Sequence, residues 1–278
     1  MANTLTGTPA AAAIYVQVRE HAAALDAPPC LAAVSVGAQP DDRAYLRSIA
    51  LSAEDCGITV RPVPLPADCA PEALTDTLRA LSTDGAVHGV LLLRPLPEAL
   101  RAQEILDTLD ARKDVDGMTT ASLGALVTGA AGFAPCTAEA CMELLRAHGI
   151  DPAGRRVTIV GRSLVIGRPA ALLLTRADAT VTLCHRKTPD LAACCRAADI
   201  LLAAAGAPGL ITTDFVRPGQ IVLDAGATAL PDGTLRGDVA PDAAAIAVCT
   251  PVPGGIGSVT TALLLRHTVQ AAENLRHF

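Results

Sequence analysis

The sequence holds no tryptophan, and aromatic residues make up 2% of it against 51% hydrophobic residues overall. Alanine, leucine and valine carry the apolar burden, which suits helices packed on buried parallel strands and points to an α/β layer protein. Basic charge is scarce too: the formal net charge is −6, and the few lysines and arginines are scattered. That leaves no footprint for a phosphate backbone and argues against nucleic acid as a partner. No Cys-x-x-Cys pair occurs among the nine cysteines, and Cys194 and Cys195 are adjacent. Neither a disulfide framework nor a metal site is expected, and a reducing, cytoplasmic compartment fits best. The opening residues lack a basic stretch followed by an apolar core, and no later run approaches the roughly 18 apolar residues of a membrane span. A soluble protein with no membrane partner is expected.

At 278 residues the chain exceeds one average domain, so two domains are the first expectation. Short apolar runs bounded by turn residues read as strands at 30–37, 57–65, 89–97, 156–163, 179–186, 200–206 and 220–226. Between them, residues 42–56, 71–81, 138–148 and 168–176 repeat their apolar side chains at helical spacing. Strand followed by helix, repeated, predicts mostly parallel sheets. The small-residue stretch 128–135, with Gly129, Gly132 and Pro135, marks the expected boundary between two α/β domains.

The run RVTIV leads into Gly161, Arg162, Ser163, Leu164, Val165, Ile166 and Gly167, then Pro169 and a helical stretch. A glycine turn feeding a helix N-terminus offers backbone N–H groups and the helix dipole to a pyrophosphate. The spacing is GxxxxxG and not GxGxxG, so an ordinary tight strand-to-helix turn is the competing reading. The next strand ends at Cys184 and His185, followed by Arg186 and Lys187. An acid at this edge would favour NAD, whereas two cations favour the 2′-phosphate of NADP. A solvated loop is the alternative for the same two cations.

In order along the chain, KDVDG (113–117), PCT (135–137), GRSLVIGRP (161–169), GDV (237–239) and TPVPGGIG (250–257) resemble the methylenetetrahydrofolate dehydrogenase/methenyltetrahydrofolate cyclohydrolase family over nearly the whole length. That resemblance implies a folate-side α/β domain of residues 1–138 plus 261–278, a Rossmann-like domain of residues 139–260, and a cleft between them. It implies a homodimer, a tetrahydrofolate derivative as substrate, and NADP as cofactor, with NAD as the alternative. By the same resemblance Tyr45 stacks on the pterin and Asp116 holds its amino-pyrimidine edge, while Leu92, Leu93, Arg94, Pro253, Gly254, Gly255 and Thr260 line the folate site. Gly161, Arg162, Ser163, Val165, Ile166, His185, Arg186 and Ala227 are the corresponding dinucleotide positions, although the family usually has serine at 186 and a branched apolar residue at 227.

Two departures bear on chemistry. The family pattern places a lysine four residues after the substrate tyrosine, and its VQLPLP segment supplies a glutamine partner. Here those positions are Ile49 and Leu93, and Arg94 follows in an otherwise similar LLRPLP. An isoleucine neither donates nor accepts a proton, and an arginine is too basic to replace the lysine as an acid–base group. Direct hydride transfer needs placement more than proton transfer. The sequence therefore predicts a retained dehydrogenase with a weak or absent cyclohydrolase. The competing readings are a bifunctional enzyme with neutral drift at these positions, a specialised paralogue handling a folate-bound one-carbon unit, a non-catalytic folate- or nucleotide-binding protein, and a Rossmann dehydrogenase with a changed substrate.

Overall fold

In a computed structural model, which describes residues 4–38, 40–230 and 232–275, the chain divides into two compact units. Among the described residues, one comprises the stretches 13–136 and 261–275, the other the stretches 4–12 and 137–260. Residues 1–3 and 276–278 of the expected folate-side domain lie outside the described residues.

The first unit contains most of α1 (Thr8–Ala23), then β1 (Cys30–Val36), α2 (Pro40–Glu54), β2 (Thr59–Leu65), α3 (Pro71–Thr83), β3 (Gly89–Leu92), α4 (Gln103–Leu106) and α5 (Thr120–Thr128). Its sheet is parallel with order β2-β1-β3. The central strand β1 is buried almost throughout, whereas β2, carrying Pro62 and Pro64, takes an edge, where a missing N–H costs no ladder bond. Beyond β3 the chain at Asp114 adds a short parallel bridge to Val90, with the Val90 N–H donating to the Lys113 carbonyl at 2.7 Å.

The second unit contains α6 (Cys136–Ala147), β4 (Arg156–Val160), α7 (Gly167–Arg176), β5 (Thr180–Cys184), α8 (Leu191–Ala197), β6 (Ile200–Ala203), β7 (Ile221–Asp224), the short hairpin β8 (Thr228–Ala229) and β9 (Leu235–Arg236), α9 (Pro241–Ile246) and β10 (Val248–Cys249). The start of α10 (Ile256–Leu275) closes the stretch. The five-stranded sheet is parallel with order β10-β7-β6-β4-β5. From β4 the chain moves to β5 on one side, then crosses to β6 on the other. The strand order thus reverses between β4 and β6, and the carboxyl ends of these strands are where open α/β sheets bind ligands. Ile200, Leu201 and Val222 fill the core beneath it.

All seven expected strands form, and so do the four expected helices. Two expectations change. Residues 4–12, expected on the folate side, belong to the other unit, because the Leu5 N–H donates to the Cys249 carbonyl and the Gly7 N–H to the Gly254 carbonyl. The last helix begins at Ile256 and not near Thr261, since the turn at Gly254, with φ of 97°, lets the chain enter the helix early. Helix α5 ends at Thr128, where the small-residue stretch 128–135 begins, capped by Gly129 with a left-handed φ of 77°, and the change of unit falls at Cys136/Thr137, just after that stretch.

Candidate functional site

In the first unit the predicted residues gather around the KDVDG loop. Gly117 has φ of 66°, and a Cβ there would meet the Phe133 carbonyl oxygen at 2.6 Å and the Pro135 nitrogen at 2.7 Å. Only glycine allows this loop and the segment entering α6 to lie so close. Asp114 turns inward, accepting from the Thr119 N–H at 2.7 Å and the Ser122 hydroxyl at 2.7 Å, which anchors the loop to the start of α5. Its neighbour Asp116 shares a recess with Leu92, Arg94 and Met118. Burial, with the Asp114 charge beside it, pushes the Asp116 carboxyl up to about 6, while Arg94, Cys136 and His267 act in the opposite sense.

Tyr45 lies on α2 and keeps 40% of its surface exposed. Its hydroxyl end is enclosed, and burial first, then the Asp116 charge, raise its pKa above the ordinary range, opposed by a hydrogen bond with the Thr261 side chain. A face open to a planar ligand and a fixed hydroxyl suit stacking. One turn further along α2, Ile49 is fully buried. Leu93 is buried too, with its N–H paired to the Val34 carbonyl at 2.9 Å. Arg94 is exposed.

Lys113, the lysine of this unit, offers no amine to these positions. Lys113 is 4% exposed, and its ammonium donates to the Leu81 carbonyl at 3.1 Å and the Asp84 carbonyl at 2.8 Å. Lys187 belongs to the second unit, on the loop after β5.

In the second unit, Gly161 follows β4 at the point where the strand order reverses. Its φ is 128°, and a Cβ there would collide with the Ala204 carbonyl oxygen at the end of β6. The backbone of the two loops is in contact, so this is more than an ordinary turn. The Ser163 hydroxyl accepts from the Ile166 N–H at 3.1 Å, shaping the turn into α7, while Arg162 stays exposed and Val165 half-buried. After β5, the His185 N–H donates to the Thr188 hydroxyl at 2.9 Å and the Lys187 N–H to His185 Nδ1 at 3.2 Å, a tight turn that leaves Arg186 and Lys187 exposed. Ala227, past β7, is exposed as well. A glycine turn at the strand-order reversal, a helix N-terminus and two outward cations together fit a dinucleotide with a 2′-phosphate.

The residues expected to line the folate site are divided between the units. Tyr45, Leu92, Leu93, Arg94 and Asp116 belong to the first, and Pro253, Gly254, Gly255 and Thr260 to the second. Gly255 is buried against Pro251, whose carbonyl oxygen a Cβ would meet at 2.5 Å, and the Thr260 hydroxyl bonds back to the Ile256 carbonyl inside α10.

Several buried polar residues carry weight that the sequence reading did not assign. Asp238 of the GDV motif is fully buried and accepts from the N–H groups of Ala205, Gly206 and Ala207 at 2.6, 3.0 and 2.7 Å. Asp224, at the end of β7, accepts from the N–H groups of Gly226, Asp238 and Val239, each at 2.9 Å. These two carboxylates hold the loops beyond β6 and β7. In the first unit, His267 of α10 reaches the Val115 carbonyl through Nδ1 at 2.8 Å, and the Cys136 thiol donates to the same oxygen at 3.2 Å. Their signal in the sequence was the motifs GDV and PCT, which named segments without saying which atoms those segments hold.

Family models of tetrahydrofolate dehydrogenase/cyclohydrolase match the chain twice, the catalytic domain over residues 5–116 and the NAD(P)-binding domain over residues 135–276. The bifunctional protein FolD of Chloroflexus aurantiacus is 45% identical over 259 residues, 92% of this chain and 90% of that protein. The bifunctional protein FolD 1 of Rhodococcus jostii is 47% identical over 279 residues, 98% of this chain and 93% of that protein. The crystal structure of Trypanosoma brucei methylenetetrahydrofolate dehydrogenase-cyclohydrolase, complexed with NADP cofactor and inhibitor, matches with a TM-score of 0.91 and 35% identity, covering 98% of each chain. The motifs, the two α/β units and these likenesses agree, and the chain belongs to the tetrahydrofolate dehydrogenase/cyclohydrolase family.

Proposed function

We propose that the protein catalyses NADP-dependent oxidation of 5,10-methylenetetrahydrofolate to 5,10-methenyltetrahydrofolate, and that its cyclohydrolase activity is weak or lost. The observation that carries the second half is the pairing of a fully buried Ile49, one turn after Tyr45, with a Lys113 amine committed to two carbonyls.

When bound, NADP supplies the acceptor for the hydride leaving the methylene carbon. The rest is placement. Gly161 and the N–H groups at the start of α7 receive the pyrophosphate, and Arg186 with Lys187 receives the 2′-phosphate. The open face of Tyr45 stacks on the pterin, and Asp116, as a carboxylate, accepts from the N–H groups of its amino-pyrimidine edge. No proton need be removed from the substrate in this step, because the folate nitrogen lone pair drives the hydride out.

Cyclohydrolysis makes other demands. Water must attack the methenyl carbon and protons must move as the ring opens, work worth about 100- to 10,000-fold when a positioned acid–base group does it. Ile49 and Leu93 offer none, and Arg94 remains protonated at any working pH. Aliphatic side chains at 49 and 93 also offer an attacking water no hydrogen-bond partner.

The assay is formation of NADPH from methylenetetrahydrofolate, followed by its near-ultraviolet absorbance. Turnover with NADP supports the dehydrogenase; tight binding of both ligands with no turnover would replace it with a binding protein. We further place the protein in the cytoplasm as a homodimer, which sedimentation at several concentrations tests. Among the described residues no helix is long and apolar enough to cross a membrane.

A further inference from the structure

Position 94 is one where the chain departs from the family pattern, and the structure puts an exposed arginine there, on the rim of the recess that holds Asp116. No hydrogen bond or ion pair ties the Arg94 guanidinium to a described residue, so it is not spent on holding the fold. The recess is otherwise apolar and acidic: Leu92 and Met118 wall it, and Asp114 is the second carboxylate. A carboxylate in such a place takes up a proton easily, and once protonated it becomes a donor where the substrate's amino-pyrimidine edge needs an acceptor.

We propose that Arg94 is a positioning residue for the dehydrogenase reaction, keeping Asp116 ionised and available to accept from the substrate at neutral pH. The inference rests on the function proposed above and adds to it a residue specific to this chain. The groups facing Asp116 come from five elements. Asp114, on its own loop, and the burial of the recess favour the proton; Arg94, after β3, Cys136, at the start of α6, and His267, on α10, favour the charge. Tyr45, on α2, is a neutral neighbour whose own ionisation the Asp116 charge opposes. Of the opposing groups Arg94 alone carries a charge fixed at every working pH. Arg94 thus supplies the recess with a positive charge without supplying acid–base chemistry.

The test is the pH profile of kcat/KM for methylenetetrahydrofolate in the full-length native protein, Arg94→Leu and Arg94→Lys, together with a carbon-13 titration of the Asp116 carboxyl in each ligand-free protein. Removing a unit charge at this range should move the acid midpoint upward by about 0.5 to 1 unit, so that Arg94→Leu loses roughly three- to tenfold at the foot of the profile and progressively less as pH rises. Arg94→Lys should keep the native midpoint. The proposal is overturned if the Asp116 midpoint of Arg94→Leu coincides with the native one, or if activity falls by the same factor at every pH. Should the native protein turn nothing over, the dehydrogenase reading fails, and the carboxyl titration still decides whether Arg94 governs Asp116.

Discussion

In the unit built on the five-stranded sheet, the candidate cofactor turn is shaped by main chain: Gly161 against the Ala204 carbonyl, and loops held by the buried carboxylates of Asp224 and Asp238. In the other unit, the candidate folate recess depends on a few side chains, Tyr45, Arg94 and Asp116, and those at 49 and 93 are aliphatic. A site made of backbone tolerates side-chain change as long as its glycines and anchoring carboxylates remain. A site made of side chains is open to losing a half-reaction with two substitutions, as we propose for positions 49 and 93. Hydride transfer draws on the first kind of construction and on stacking, whereas ring opening draws on the second, which is why one activity can survive without the other.

The comparison breaks first at Gly161. Replacing it with alanine forces a Cβ into the β6 loop at a φ that alanine rarely adopts, and NADPH affinity by fluorescence titration should fall by about 100-fold or more, with circular dichroism unchanged in shape. Affinity within a factor of three of native would place the cofactor elsewhere.

The folate side is probed by Asp116→Asn. The folded-state pKa of Asp116, about 6, lies above the ordinary carboxylate value, so in the ligand-free protein stability falls as pH rises from about 4 to about 6, and above that the full cost of ionising the buried carboxyl is present. Below roughly pH 4 both states carry the proton and the cost is gone. Urea denaturation should therefore show the variant more stable by about 1 to 3 kcal/mol at pH 8 and equal to native near pH 4, while its folate affinity drops. A destabilised variant at pH 8 would mean that Asp116 is a structural anchor and not a site kept charged for a ligand.

The smallest effect belongs to Arg186. On an exposed turn, one charge-assisted contact to a 2′-phosphate is worth about tenfold, so Arg186→Ser should cut the preference for NADP over NAD by roughly that factor, with Lys187 retaining the remainder. An unchanged ratio of kcat/KM for the two cofactors would return Arg186 to the solvent.

Much of this was legible in the sequence because its signals are local. The runs that became β1 to β7 are short, rich in apolar and β-branched residues and bounded by turn residues, and the glycine turn after β4 announces itself by position, although its spacing alone left an ordinary turn open. What could not be read there is long-range. That residues 4–12 join the second unit depends on backbone bonds from Leu5 and Gly7 to chain some 240 residues away, which no periodicity encodes. Nor does the motif GDV say that Asp238 caps three N–H groups in another loop. The arginine at 94 was visible as a departure, but its place beside Asp116 needed the fold. Helices α4, α8 and α9 are short and supported by packing, so their spacing carries little signal.

The central claim is tested most directly by following the decay of 5,10-methenyltetrahydrofolate at its own absorbance with the native protein and with the double variant Ile49→Lys, Leu93→Gln. The account predicts decay at or near the uncatalysed rate for the native protein, about 100-fold or more below what a positioned acid–base group supplies, and a gain in the double variant while both still reduce NADP. Native decay as fast as its own dehydrogenase turnover would contradict it.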